Sequence, residues 1–458
     1  MRITIIGGGY VGLVSGACLA EYGGEVTIVE ADAKKFASLQ AGVLPIYEPG
    51  LDALIETNVM AGRLIFSDNL PMAVSGAEAV FIAVGTPSRR GDGHADLSYV
   101  FAAVEQVARV LTDYTVIVTK STVPVGTGGR LVRLIRHLRP DLDFDVASNP
   151  EFLREGNAIT DFMKPDRVII GTESERAREI MARLYRPLSL AEAPIVFTSI
   201  ETAELTKYAA NSFLAMKVTF INEIADLCER VGADVHEVAR GIGLDGRIGR
   251  KFLHPGPGYG GSCFPKDTVA LVRTAQDAGS PLRLVETVVA VNDARKASMA
   301  MRIMAACGGD IRGMIIAVLG LTFKSETDDM REAASIAIIA RLCGEGATIR
   351  AYDPRGMDQA RAVLPEDVVY CDDALDAAQD ADALVLLTEW REFRAIPPDR
   401  LRAVMRGDVL IDLRNVYDAQ AMRQAGFHYH SVGRPTWQSD RTEALSLIVP
   451  SMTAIEAD

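Results

Sequence analysis

Short apolar runs alternate with stretches of helical periodicity through most of the chain. Residues 3–6 form a short apolar strand, an apolar helix runs on to about Tyr22, and a second strand spans 26–29. Buried-strand runs follow at 79–84, 115–119 and 145–147. From Glu201 to Val231 there is neither Gly nor Pro, and Leu205, Tyr208, Ala209, Phe213, Met216, Phe220, Ile224 and Leu227 recur at helical spacing. Thr198 with Glu201 predicts a capping box at its start. A helix of about 30 residues is roughly 45 Å long. That exceeds the surface of a lone domain, so it is expected to be a spine between domains and a dimer surface. Helices are predicted over 268–278 and 284–307, and strands resume at 314–319, 348–352, 383–387 and 409–412. The pattern predicts an α/β fold, two Rossmann-like doubly wound domains joined by a long central helix. The expected division is 1–198, 199–300 and 301–458, with weak periodicity from Pro435 onward and no element assigned there.

Composition narrows the setting. A chain of 458 residues, 48% apolar, suits two or three domains with large cores. No window reaches the roughly 18 apolar residues of a membrane span. The opening apolar run is too short for a signal peptide, so a cytoplasmic location is expected. Cys18, Cys228, Cys263, Cys307, Cys343 and Cys371 are scattered without a C-x-x-C pair, which suits a reducing compartment. The six histidines have no metal-ligand spacing, so no metal is expected; His428 and His430 alternate on a short strand and read as surface residues. A net charge of −13 argues against nucleic-acid binding. It leaves room for an anionic small ligand, which needs only a few local cations and helix N-termini.

Gly7, Gly9 and Gly12 stand in G-x-G-x-x-G register between a strand and a helix, the context that makes this motif informative. Gly7 permits the tight turn, Gly9 lets backbone approach a pyrophosphate, and Gly12 lets helix and strand pack. Glu30, at the end of the second strand, is placed to accept from a ribose 2′-hydroxyl and would repel a 2′-phosphate. The expected cofactor is NAD. Thr86 and Thr122 follow two further strands, where they either line the crevice or serve as turn residues beside Pro87 and Pro124. The last α/β unit lacks G-x-G-x-x-G and is expected to take a mononucleotide-like group, with Lys324 and Arg331 flanking its first loop.

The stretch from Gly256 to Thr268, GPGYGGSCFPKDT, carries the most chemistry. Four glycines leave room for a ligand beside Cys263. The residue sits in a loop ahead of a helix start near Thr268, so the helix dipole and Lys266 are expected to lower the thiol pKa and supply a nucleophile. Lys207 and Asn211 lie one turn apart on the spine, a pairing that on its own also suits a solvated helix edge. Arg247, Arg250 and Lys251 are cations leading into the loop.

Taken together these residues resemble the UDP-glucose/GDP-mannose dehydrogenase family. The carriers are GGGYVG (7–12), PIYEPGL (45–51), GTP (85–87), STVPVGT (121–127), NPEFLREG (149–156), ELTKYAAN (204–211), GYGGSCFPKD (258–267) and the FK at 323–324. Ser262 and Phe264 around the cysteine resemble the UDP-glucose branch; the GDP-mannose branch carries leucine after the cysteine, and the branch acting on N-acetylated UDP-sugars reads GGHC. The resemblance implies a four-electron, NAD-dependent oxidation of UDP-glucose to UDP-glucuronate through a thiohemiacetal and a thioester on Cys263. It implies Lys207 and Asn211 as oxyanion donors. Asp267, with a water near Thr122, and Glu151 would be the bases, with the division of steps left open. Gly7, Gly9, Tyr10, Val11, Gly12, Glu30, Lys35, Thr86, Thr122, Glu155, Lys266 and Arg331 would contact NAD. Glu151, Phe152, Leu153, Lys207, Asn211, Phe252, Leu253, His254, Pro255, Gly256, Tyr259, Gly260, Phe323, Lys324 and Arg414 would contact the nucleotide sugar. Arg247 would reach it from the partner subunit of a homodimer. The competing readings are a GDP-mannose or UDP-N-acetylhexosamine substrate and a one-step 3-hydroxyacid dehydrogenase. The last would need neither the cysteine loop nor the second α/β unit.

Overall fold

A computed structural model describes residues 1–89, 91–190 and 192–435. Eight strands form the first sheet: β1 (Arg2–Ile6), β2 (Glu25–Val29), β3 (Leu64–Ser67), β4 (Ala79–Ile82), β5 (Thr115–Thr119), β6 (Phe144–Ser148), β7 (Val168–Gly171) and β8 (Ile195–Thr198). Their order is β3-β2-β1-β4-β5-β6-β7-β8, parallel throughout except where β7 meets β6 at Ser148 and Gly171. A second, wholly parallel sheet contains β9 (Ile315–Leu319), β10 (Thr348–Tyr352), β11 (Val369–Tyr370), β12 (Ala383–Leu386), β13 (Val409–Asp412) and β14 (His428–Ser431), in the order β11-β10-β9-β12-β13-β14. Both sheets reverse direction beside their first strand, and in such sheets ligands bind off the carboxyl ends at that switch point. Strands such as β4, β5 and β12 are apolar on both faces because helices cover both.

The spine helix runs from Ile200 to Val231, 32 residues. Its cap is Ser199, whose hydroxyl accepts from the Thr202 N–H at 3.2 Å. The predicted capping box at Thr198 and Glu201 is therefore off by one residue: Thr198 is still the last residue of β8. Gly232, at φ +80°, ends the helix. The helix after the cysteine also begins earlier than its apolar periodicity suggests, at Phe264 rather than near Thr268, because Pro265 starts a first turn instead of breaking one. The following helix spans Arg283–Ala306. The sequence from Thr436 onward, including most of the tail with weak periodicity, lies outside the described residues.

Candidate active site

The cofactor turn follows from sterics. Gly7 has φ +112°, and a Cβ there would lie 2.7 Å from the Ala83 carbonyl oxygen. A Cβ on Gly12 would lie 1.9 Å from the Gly7 carbonyl oxygen, so only glycine lets the first helix, Tyr10–Glu21, close on β1. A Cβ on Gly9 meets nothing within 4 Å. Gly9 caps that helix without a side-chain bond and leaves open space where a side chain would stand, as the approach of a pyrophosphate to a helix N-terminus requires. Glu30 is nearly buried beside the turn, one carboxylate oxygen accepting from Gly8 N–H at 3.0 Å and the other from Asp32 N–H at 2.8 Å. These residues fit a dinucleotide. A consequence can be measured: Gly12→Ala is expected to be destabilised, whereas Gly9→Ala should melt like the wild type and bind NADH roughly tenfold more weakly, about 1.4 kcal/mol. Unchanged NADH affinity in Gly9→Ala would remove the turn from the cofactor site.

The candidate reacting centre is a cavity of about 630 Å³. Its lining includes Glu151, Phe152, Leu153, Glu155, Lys207, Asn211, Phe252, Gly260, Cys263, Phe323 and Lys324. The spine buries Lys207 and Asn211 to 2% and 5% exposure, so the solvated-edge reading fails. Lys207 Nζ donates to Glu151 Oε1 at 3.0 Å, and Glu151 Oε2 accepts from Leu153 N–H at 2.5 Å. Burial acts to lower the Lys207 pKa, yet it is raised, because the charges of Glu151, Cys263 and Asp267 outweigh that effect. Asn211 Nδ2 donates to Asp267 Oδ2 at 2.7 Å, and Asp267 Oδ1 accepts from Lys266 at 2.7 Å.

Cys263 occupies the cap position of its helix, half-buried, with Ser262 Oγ 3.5 Å from its sulfur. The expectation of a depressed thiol pKa is corrected. Burial pushes the thiol up, and the opposing cation is Lys207. Lys266, the cation adjacent in sequence, is instead engaged by Asp267 and stands 3.5 Å from Thr86.

The remaining nominated residues fall into groups. Tyr10 and Val11 are half-buried at the start of the first helix, and Lys35 is exposed on the helix after Glu30. Thr122 is half-buried in the loop after β5. Glu155 accepts from Ser262 at 3.1 Å and Thr327 at 3.2 Å, with the Arg331 guanidinium at 3.4 Å. Burial, then the neighbouring Asp329, push its carboxyl up to about 7. Phe252 holds φ +64°, a strained position for a bulky residue, with its ring 5.9 Å from that of Phe264. Leu253, Pro255, Gly256 and Tyr259 are buried behind the cavity, while His254 is exposed. Arg414 packs on Gly256 and donates to the carbonyls of Phe323 at 2.7 Å and Leu387 at 2.8 Å, which ties the second α/β unit to the cysteine loop beside Lys324. The Arg247 side chain is 90% exposed and paired with Asp245, so its own chain does not bring it to the cavity.

Several supporting residues escaped the sequence reading. Asn222 accepts from Gly256 N–H at 2.8 Å, Arg295 donates to Gly256 C=O at 2.7 Å, and the Asn292 amide bridges Tyr259 N–H and C=O at 2.8 and 3.1 Å. The cysteine loop is thus held like a strand by side chains of two long helices. Asparagines on the buried faces of those helices were the available signal. Lys120 lines the cavity, 5% exposed, with Asn149 at 2.9 Å and Tyr185 at 3.3 Å; burial lowers its pKa to about 8. Glu204 reaches from the spine to the N–H groups of Gly126 and Gly128 at 2.7 and 2.8 Å, fixing the loop that carries Thr122; burial pushes its carboxyl up to about 7. In the second sheet Asp353 accepts from Leu321 N–H, Thr322 N–H and Trp390 Nε1 at 2.7, 3.1 and 3.1 Å. The corner equivalent to Glu30 is therefore filled by the protein itself.

Comparison with known proteins agrees with this geometry. Three models of the UDP-glucose/GDP-mannose dehydrogenase family match: the NAD binding domain over residues 1–189, the central domain over 201–294 and the UDP binding domain over 317–419. A UDP-glucose 6-dehydrogenase of Rhizobium meliloti (strain 1021) is 60% identical over 95% of this chain and 100% of its own length. The UDP-glucose 6-dehydrogenase TuaD of Bacillus subtilis (strain 168) is 47% identical over 95% and 93%. A solved UDP-glucose dehydrogenase from Pyrobaculum islandicum superposes with TM-score 0.87 at 38% identity, over 94% of this chain and 98% of that one.

Proposed function

The chain belongs to the UDP-glucose/GDP-mannose dehydrogenase family and is an NAD-dependent enzyme, and from that premise we propose how it oxidises UDP-glucose to UDP-glucuronate at Cys263. The observation that carries the reading is the cavity itself. A half-buried thiol, a buried ammonium, a buried amide and a buried carboxylate share its wall.

NAD supplies the hydride acceptor for each of two oxidations. The chain's own residues do the rest. Glu151 and Asp267 are the proton acceptors for the sugar's primary alcohol and, later, for water. Cys263 adds to the aldehyde: its sulfur bonds to the carbonyl carbon and its proton passes to a neighbouring base. The resulting oxyanion faces Lys207, which gives one of its three donors to Glu151, and Asn211, which gives one of two to Asp267. Loss of a second hydride turns the thiohemiacetal into a thioester. Water cleaves it, releasing the carboxylate and returning the thiol. The sum is one sugar, one water and two NAD converted to one uronate and two NADH, with release of protons. The nucleotide would lie against Phe252, Gly260, Phe323 and Lys324, where two domains meet, while Leu253, Pro255, Gly256, Tyr259 and Arg414 shape the wall from behind.

We assign the domains to 1–198, 199–300 and, within the described residues, 301–435. A homodimer through the spine is supported by a row of exposed apolar side chains on it, Leu205, Phe213, Phe220, Leu227 and Val231. Arg247, free of its own cavity, would serve the partner's. Six free cysteines suit a cytoplasmic location, and among the described residues no helix is long and apolar enough to cross a membrane.

The test is the NADH released per UDP-glucose consumed, with limiting sugar run to completion. Two are expected. One would end the thioester mechanism, and none would redirect the assay to GDP-mannose and N-acetylated UDP-sugars.

A further inference from the structure

The segment PIYEPGL has no role in the chemistry above, yet it contains a carboxylate buried outside the cavity. Glu48 is 5% exposed. One of its oxygens accepts from the Tyr10 hydroxyl and from Gly156 N–H, the latter at 2.6 Å. The other accepts from Ala158 N–H at 2.7 Å. Tyr10 opens the helix that follows the glycine turn. Gly156 and Ala158 close the segment that presents Glu151 and Glu155, and Ala158 opens a helix, Ala158–Met163, whose own cap residue Asn157 makes no side-chain cap bond. Glu48 supplies that cap from 110 positions away in sequence. Within the same segment Glu155 accepts from Ser262, the neighbour of Cys263.

We propose that Glu48 is a positioning residue that locks the cofactor turn to the sugar-facing segment, so that occupancy of one ligand site is felt at the other. The proposal rests on the assignment of residues 7–12 to NAD and 151–155 to the sugar. Three donors converge on two oxygens. Glutamine offers a single acceptor oxygen and turns an N–H₂ group toward an N–H donor, and aspartate is one methylene short. Neither can keep all three contacts. Because Tyr10 joins the lock through its hydroxyl alone, Tyr10→Phe opens the cofactor side while leaving the helix cap in place.

The test uses the full-length enzyme and binding as well as turnover. NADH is titrated by fluorescence with and without saturating UDP. In the wild type UDP is expected to change NADH affinity by roughly fivefold or more, the usual scale of coupling between sites, and in Tyr10→Phe and Glu48→Gln that factor should fall toward unity. Glu48→Gln should also raise KM for both NAD and UDP-glucose, whereas Tyr10→Phe raises KM for NAD alone. A role confined to stability would lower the melting temperature of Glu48→Gln and leave the coupling factor intact, which overturns the proposal. So would a wild type without coupling. If Glu48→Gln does not fold, the Tyr10→Phe titration decides alone. Absence of UDP-glucose turnover in the wild type would count against the proposed reaction and leave the NADH and UDP titrations readable.

Discussion

Cys263→Ser is expected to cut net production of the uronate by at least about a thousandfold, the scale on which loss of a covalent nucleophile is felt. The loss should fall on the second half of the reaction. In the proposed sequence of steps the first hydride leaves the alcohol carbon before any bond to sulfur exists, so the variant should still reduce the UDP-sugar aldehyde with NADH, the reverse of that step. Stoichiometry and partial reaction together separate a missing nucleophile from a collapsed site. The pH dependence adds a check. Burial raises the Cys263 thiol pKa while Lys207 opposes it, and the attacking species is the thiolate. Raising a thiol's pKa moves its deprotonation to higher pH. The wild-type rate of aldehyde capture should therefore climb through neutral into alkaline pH, and Cys263→Ser should lack that rising limb. Uronate production by Cys263→Ser at the wild-type rate would show that the sulfur takes no covalent part.

How far the site was legible in the sequence follows from which forces are local. The glycine turn is steric and local, so the tight turn at Gly7 and the close packing at Gly12 are legible from spacing and strand context, and the structure sets Glu30 beside them. The spine read correctly because 32 residues without an internal breaker have one periodic solution. Its cap moved by one residue because Thr198 and Ser199 are both competent caps, and the choice was made by the pairing of β8 with β7. The strands β3, β7 and β8 were not predicted: each is short, and β3 and β8 are partly solvated. The cysteine's electrostatics were misread for a related reason. Sequence offers the adjacent Lys266, whereas folding gives Lys266 to Asp267 and brings Lys207 from 56 positions away to set the field around the sulfur. The supports at Asn222, Asn292 and Arg295 are long-range hydrogen bonds to backbone, and such bonds leave little trace in a linear pattern.

Lys207→Met is expected to separate what the buried pair does for stability from what the ammonium does for catalysis. The Lys207 and Glu151 side chains are 3% and 7% exposed and 3.0 Å apart. Removing the lysine leaves the Glu151 carboxylate buried without its paired ammonium, keeping, among the described residues, the bond from Leu153 N–H and the more distant charge of Lys120. Breaking such a pair from one side costs about 3–5 kcal/mol, seen as a lower midpoint in urea melts. The oxyanion formed when Cys263 adds to the aldehyde also loses its cationic donor, and loss of one such donor costs roughly a hundredfold to a thousandfold in kcat. Combining Lys207→Met with Glu151→Gln removes the stranded charge. The double variant should recover most of the lost stability because the two residues are coupled, yet it should remain inactive because both the donor and a proton acceptor are gone. A Lys207→Met enzyme that kept kcat within about tenfold of wild type would remove the oxyanion role. A double variant no more stable than the single would mean that Glu151 is not held by the Lys207 charge. Stability restored without activity is the outcome that ties the pair at the base of the cavity to the chemistry above it.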